Sequence, residues 1–244
     1  MFFCMNIYKD SARLDKKDIL VLIPPWRSPR LIYSVMKRHI PEEFGYLDYH
    51  YSPDLVNPDA YLTKKYFLEY VDSLVSELKD LKKKKSRNFY VYAESLGTSL
   101  ALVLSSKIAV KKAILIAPGD NFAECFWKSV ETRHVKEKMA RRGMTLDALK
   151  KIWSIVSHDY YLNKRAGKTK YHLKLASNDT AIPFENGINL VKIMKRKNMD
   201  FEYDINNIPH ITRKDSVPHR LTVWKECCLF PQGSLRFIIY KKKF

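Results

Sequence analysis

Ser95, Asp179 and His210 are the residues whose types, chain order and settings can do chemistry together. Acyl transfer by a serine needs a base to take the hydroxyl proton and a carboxylate to orient that base. It also needs two N–H donors for the oxyanion. Ser95 lies in Ala93-Glu94-Ser95-Leu96-Gly97, between a stretch that reads as a strand (89–92) and one that reads as an apolar helix. A serine at such a corner stands exposed above the sheet edge, with the helix's first N–H groups beneath it. Small residues at 93 and 97 suit the turn, because bulky side chains two places either side of the serine would collide there. The pattern is A-x-S-x-G, where nucleophile corners usually read G-x-S-x-G. The competing reading makes Ser95 a plain helix N-cap, a place serine favours.

Asp179 follows the strand expected at 171–175, in Asn178-Asp179-Thr180-Ala181-Ile182-Pro183, and leads straight into a helix. Its rival as the acid is Asp120, after the preceding strand. His210, in Asn207-Ile208-Pro209-His210, follows the strand expected at 201–205 at short distance, which His219 does not. His39, His50, His134, His158 and His172 show no spacing of a metal site and read as structural or surface residues. Glu94 reads as a packing or hydrogen-bonding residue beside the nucleophile.

Side chains so far apart in sequence meet only if the strand ends that carry them share one edge. In an open parallel sheet the C-terminal strand ends do so. The chain supplies the required alternation. Residues 19–23 form a continuous apolar run, as in a strand buried on both faces. After Pro24-Pro25-Trp26-Arg27-Ser28 comes a short helix over 31–40, then a strand at 46–51. Leu62, Tyr66, Tyr70, Leu74 and Leu78 recur four apart and predict a helix over 59–81, closed by a solvated lysine loop at 82–85. Strands follow at 89–92, 113–117, 171–175 and 201–205, with a helix over 184–197. Edge strands are expected at 2–8 and 235–240, side by side, and a last helix near Pro218. Such alternation demands parallel crossovers and a three-layer α/β sandwich with a mostly parallel sheet.

The alternation breaks at residues 121–165, which are helical in character and too long for a crossover. They read as a helical lid inserted into a core made of 1–120 and 166–244. Thr145 is the expected N-cap of a helix with the stripe Leu146, Leu149, Ile152, Trp153 and Val156. Phe122, Phe126, Trp127 and Trp153 would supply an apolar acyl pocket or the lid's own core.

Lys and Arg outnumber Asp and Glu 44 to 26, a formal charge of +18, which favours anionic partners. Spread over solvated faces without an aromatic nucleic-acid motif, that charge argues against nucleic acid as the partner. Four cysteines without a C-x-x-C pair imply a reducing compartment. No secretory signal or membrane-length apolar run is read in the sequence, and the expectation is a soluble, cytoplasmic protein.

With the elbow, the acid and the histidine in that order at strand ends, residues 19 to about 224 resemble the α/β-hydrolases. The resemblance implies a serine hydrolase in which Ser95 is the nucleophile, Asp179 the acid and His210 the base. The N–H of Leu96 would be the first oxyanion donor, and that of Trp26 or Arg27 the second. Trp26 is preferred, since Pro24 and Pro25 lack an N–H where the family often carries His-Gly. Pro209 likewise replaces a glycine common before the base. The implied substrate is a small acyl ester or thioester, with an anionic part drawn by the basic residues, and no metal or organic cofactor is required. The alternative is a non-catalytic α/β-hydrolase-like protein that binds an anionic partner or nucleic acid through its basic surface.

Overall fold

The structure, a computed structural model, describes residues 7–28, 30–162 and 168–209. Its frame is a seven-stranded sheet: β1 (Ile7–Ala12), β2 (Asp18–Ile23), β3 (Phe44–Tyr51), β4 (Asn88–Glu94), β5 (Lys112–Ile116), β6 (Lys170–Asn178) and β7 (Phe201–Pro209). The spatial order is β1-β3-β2-β4-β5-β6-β7. Only β1 runs antiparallel, against β3, and every other pair is parallel. The central strands are apolar on both sides: Ile19 through Ile23 are fully buried. That is what a strand covered by helices on both faces requires.

One face carries α2 (Ala60–Lys84), α3 (Leu96–Lys107) and α8 (Phe184–Arg196), whose apolar residues pack with Ile19, Val21, Val91 and Leu115 in one core. The other face is covered by α1 (Arg30–Lys37), which lays Tyr33 and Met36 on Leu20, Leu22, Tyr92 and Ile114. The three-layer α/β architecture expected from the alternation is therefore present. In α2 the four-residue recurrence buries Tyr66, Tyr70, Leu74 and Leu78, and Asp59 caps the first turn by accepting from the N–H groups of Tyr61 and Leu62 at 2.8 and 3.2 Å. No described helix is long and apolar enough to cross a membrane.

Between β5 and β6 stand four short helices: α4 (Phe122–Lys128), α5 (Arg133–Ala140), α6 (Leu146–Ile152) and α7 (His158–Leu162). Thr145 caps α6 as expected, accepting from the Ala148 N–H at 3.2 Å. Trp153 closes this unit on the main body. It is buried, stacks on Phe122 at 4.7 Å, meets Phe126 edge-on, and donates its indole N–H to the Ala60 carbonyl at 2.8 Å.

Three local expectations need correcting. Among the described residues the first strand, Ile7–Ala12, runs on past the end expected at Tyr8, because an edge strand takes charged residues that find tertiary partners; residues 2–6 of that expectation lie outside the described residues. Lys9 pairs with Glu77 at 3.1 Å and Asp10 with Lys37 at 2.5 Å. Lys82, Lys83 and Lys84 form the last turn of α2 and not a loop, where their charge meets the helix C-terminus favourably. Strands β6 and β7 extend past their apolar stretches to Asn178 and Pro209, held by mutual pairing. The segments expected at 218 onward and 235–240 lie outside the described residues.

Candidate active site

The corner after β4 does not have the conformation of a helix cap. Ser95 adopts φ 51° and ψ −122°, a region L-residues avoid at a cost of about 1–3 kcal/mol. A capping serine has extended dihedrals and accepts from the helix's first amides, and Ser95 makes no such side-chain bond. The corner is fixed through its backbone. The Ser95 N–H donates to the Ile116 carbonyl at 2.9 Å, and the Ser95 carbonyl accepts from the Thr98 N–H at 2.9 Å and from its hydroxyl at 2.6 Å. Ala93 is fully buried, and at Gly97 a Cβ would stand 2.5 Å from the Ile23 carbonyl oxygen and 2.7 Å from that of Pro24. The small residues two places either side thus let the helix start against the end of β2. Glu94, also buried, accepts from the Tyr92 hydroxyl at 2.8 Å.

One N–H group belongs to that corner itself. Leu96 is the first residue of α3, where the helix provides its N–H with no partner. Ile23 is level with Ala93 across the β2–β4 pair, so the loop after β2 leaves the sheet next to Ser95. In that loop the Ser28 N–H donates to the Pro25 carbonyl at 3.2 Å, making a turn with Arg27 at φ 59°. The turn presents Trp26, whose indole N–H donates to the Pro53 carbonyl at 2.8 Å. The Trp26 ring has the Arg27 guanidinium 4.2 Å from its centroid and the His134 ring of α5 stacked on it at 5.9 Å. Arg27 also donates to His134 Nε2 at 3.0 Å, which requires that nitrogen to be unprotonated. Burial first, and then the charges of Arg27 and Lys138, hold the His134 pKa below its ordinary value.

Asp179 follows β6 directly. Its Oδ1 accepts from the N–H groups of Ala181 and Ile182 at 2.8 and 2.7 Å, which locks the carboxylate's orientation at the mouth of α8. Asp120 sits in another setting. Burial, partly offset by the 2.6 Å hydrogen bond from Asn186 Nδ2, raises its pKa, and Asn186 also reaches Glu124 at 3.2 Å. Asp120 is thus tied to Asn186 inside the fold, whereas Asp179 is oriented by backbone donors at the end of β6. The ends of β4, β5 and β6 run on in register: Ser95 bonds Ile116, and the Ala117 N–H donates to the Lys174 carbonyl at 2.8 Å. Ser95 and Asp179 therefore leave the sheet on the same edge. His210 lies outside the described residues. Its neighbour Pro209 ends β7, paired with Asn178.

Phe122 and Phe126 are buried against Trp153 and, for Phe122, against Phe67 of α2, so they form the insertion's core and not the wall of an open acyl pocket. Among the described residues the insertion touches the site through these contacts: His134 stacks on Trp26 and bonds Arg27, and the Val130 N–H donates to the Thr180 carbonyl at 3.4 Å.

Sequence reasoning passed over His50. It sits beside a buried ion pair: its Nε2 is 2.9 Å from Asp48 Oδ1, while Asp48 Oδ2 accepts from Lys37 at 2.9 Å. The Asp48-x-His50 spacing, which puts both side chains on one face of a strand, was the available signal. Among the described residues no cluster of metal-ligating side chains is present.

No protein family profile and no curated protein sequence matches the chain. Solved structures do. An acylaminoacyl peptidase of Pyrococcus horikoshii matches 98% of this chain with a TM-score of 0.66 at 13% identity, and the match covers 40% of that longer protein. A puromycin-hydrolyzing peptidase of Mycobacterium tuberculosis matches 84% of this chain and 32% of its own length, with a TM-score of 0.61 at 11% identity. An esterase of Pyrococcus furiosus matches 92% of this chain and 85% of its own length, with a TM-score of 0.59 at 14% identity. At such identities the likeness speaks for the fold alone, and that fold is the α/β-hydrolase fold.

Proposed function

We propose that this protein of α/β-hydrolase fold is a serine hydrolase that cleaves a carboxylic ester or thioester through an acyl-enzyme on Ser95. The observation that carries the reading is the strained, uncapped conformation of Ser95 at the β4–α3 corner. Strain of that kind persists where it exposes a nucleophile, and a cap has no use for it.

In this reading His210 takes the Ser95 proton as Oγ attacks the acyl carbon, and Asp179 stabilises the resulting imidazolium. The carbonyl oxygen becomes an oxyanion held by the N–H groups of Leu96 and Trp26, at the positive end of α3. Collapse breaks the bond to the alcohol or thiol, which leaves with the proton from His210. Water, deprotonated by His210, then attacks the acyl carbon, and the acid is released as Oγ regains its proton. The anchoring of Asp179 by two backbone donors supports its role as the orienting acid. The helical insertion acts as the lid, with His134 stacked on the ring of Trp26.

A panel of p-nitrophenyl and CoA esters of varied chain length tests the reading. Turnover by the wild type that Ser95→Ala and His210→Ala each abolish is the expected result. Turnover untouched by Ser95→Ala, or no turnover together with a salt-dependent affinity for nucleic acid, would defeat it.

A further inference from the structure

A cleft of about 510 Å³ opens where β2 and β3 end, lined by Pro24, Pro25, Arg27, Ser28, His50 and Tyr51 among others. It adjoins the Ser95 corner. Pro24 lines it, and the Pro24 carbonyl, one that Gly97 packs against, accepts from the Tyr51 hydroxyl at 2.8 Å. Leu22 is level with both Asp48 and Tyr92, so His50 stands level with Glu94, the residue before Ser95. Two strand spacings of about 4.8 Å put these backbones on the order of 10 Å apart.

The polar groups of this cleft suit an anion. Arg27 supplies a fixed positive charge. The Ser28 hydroxyl oxygen is buried with no hydrogen-bond partner among the described residues. His50, 6% exposed, has Nε2 2.9 Å from the Asp48 carboxylate and lies edge-on to the Tyr33 ring at 5.5 Å. The charged groups about it are Asp48 on its own strand, Lys37 of α1 and Asp10 of β1 beyond Lys37, and Arg27 in the loop. Burial pulls the Lys37 ammonium's pKa down, but hydrogen bonds to Asp10 and Asp48 outweigh this and hold it above the ordinary value. Lys37 therefore balances Asp48, and the His50 ring in its Nδ1–H form can donate to an acceptor that enters the cleft.

We infer that this cleft is the subsite for an oxyanion group, a carboxylate or phosphate, carried on the non-reacting end of the substrate. This rests on the assignment of Ser95 as nucleophile. Arg27 supplies the charge, while Ser28 Oγ and His50 Nδ1 donate the directional hydrogen bonds. The substrate class narrows accordingly to esters or thioesters with an anionic arm.

Two arms test it separately. In the first, p-nitrophenyl hemiglutarate is compared with p-nitrophenyl valerate. The wild type is expected to prefer the anionic ester in kcat/KM, and His50→Gln is expected to cut that preference about 10- to 100-fold, as loss of a charge-assisted hydrogen bond does. Ser28→Ala, which leaves the buried ion pair intact, should cut it several-fold and covers the case in which His50→Gln does not fold. In the second arm, inorganic phosphate and glutarate are titrated into the Ser95→Ala protein while the imidazole signals are followed by NMR. A saturable shift at His50 with glutarate or phosphate, absent in a Ser95→Ala/Ser28→Ala protein, is expected; which of the two binds more tightly identifies the arm. The second arm reads the cleft whether or not Ser95 reacts, so loss of all ester turnover with the His50 shift retained falls on the hydrolase reading and removes the cleft's role as a substrate subsite with it. Ester turnover with no anionic preference, or a His50 signal that neither anion moves, would overturn the inference alone.

Discussion

Gly97→Ala is the smallest change that reaches the corner without touching a reacting group. The added Cβ would lie 2.5 Å from the Ile23 carbonyl oxygen and 2.7 Å from that of Pro24, where ordinary contact begins at 3.4 Å. Both obstructing atoms belong to backbone, so no side chain can swing aside. Relief requires the end of β2 and the start of α3 to part by about 0.7–0.9 Å, and overpacking of this kind costs about 1–3 kcal/mol. For a chain of this size each kcal/mol lowers Tm by about 2–4 °C, so the melt should fall by roughly 2–12 °C. The functional cost should be larger. The displaced segment runs directly into Trp26, and moving an oxyanion donor by about 1 Å costs on the order of 100-fold in rate. Thermal melts and kcat/KM on a p-nitrophenyl ester read both effects. Gly143→Ala is the control: Gly143 has φ +78° and open space around it, so it should lose about 1 kcal/mol from backbone strain and keep its activity. A Gly97→Ala protein whose Tm and kcat/KM match the wild type would refute the claim that this glycine sets the distance between corner and loop.

Asp179→Asn should lower kcat about 10⁴-fold with little change in Tm, whereas Asp120→Asn should leave kcat within a few-fold. Because burial raises the Asp120 pKa above 3.8, the ionised form opposes folding, so Asp120→Asn should raise Tm at pH 7 and the gain should vanish as the pH falls towards that value. Trp153→Ala, which empties a buried site and frees the Ala60 carbonyl, should cost about 3–5 kcal/mol and make residues 121–162 the first segment cut in limited proteolysis. Trp153→Phe should lose only about 1 kcal/mol, since the stack on Phe122 survives. His134 titrates below 6.5 in the folded protein, so its stack on Trp26 is fully formed above that pH and weakens as the pH falls through the lowered value. Tryptophan fluorescence should show a transition in this range that His134→Phe abolishes.

Much of the frame could be read from the chain because burial on both faces leaves little latitude. Ile19 through Ile23 must be a covered strand, and the recurrence from Leu62 to Leu78 must be a helix lying on it. The corner was legible for the same reason, in the small residues at Ala93 and Gly97. What escaped was polar and depended on partners distant in sequence. Strand β1 carries Lys9, Asp10 and Ser11, which have no strand pattern until β3 and the charges of Glu77 and Lys37 are in place. The last residues of β6 and β7 read as turns because the functional edge of an open sheet is where strands end in polar residues. His50 looked idle among other histidines, since only the fold brings Lys37 to Asp48 and puts His50 in the cleft at the ends of β2 and β3. Likewise, nothing local marks Trp26 and His134, 108 positions apart in the chain, as stacking partners.

Everything turns on whether Oγ of Ser95 is a nucleophile. Incubation of the protein with a fluorophosphonate, followed by digestion and mass mapping of the adduct, asks that question directly. A single adduct on the peptide containing Ser95, lost in Ser95→Ala and slowed in His210→Ala, is the predicted result; an adduct on another residue, or the same labelling in Ser95→Ala, would contradict it.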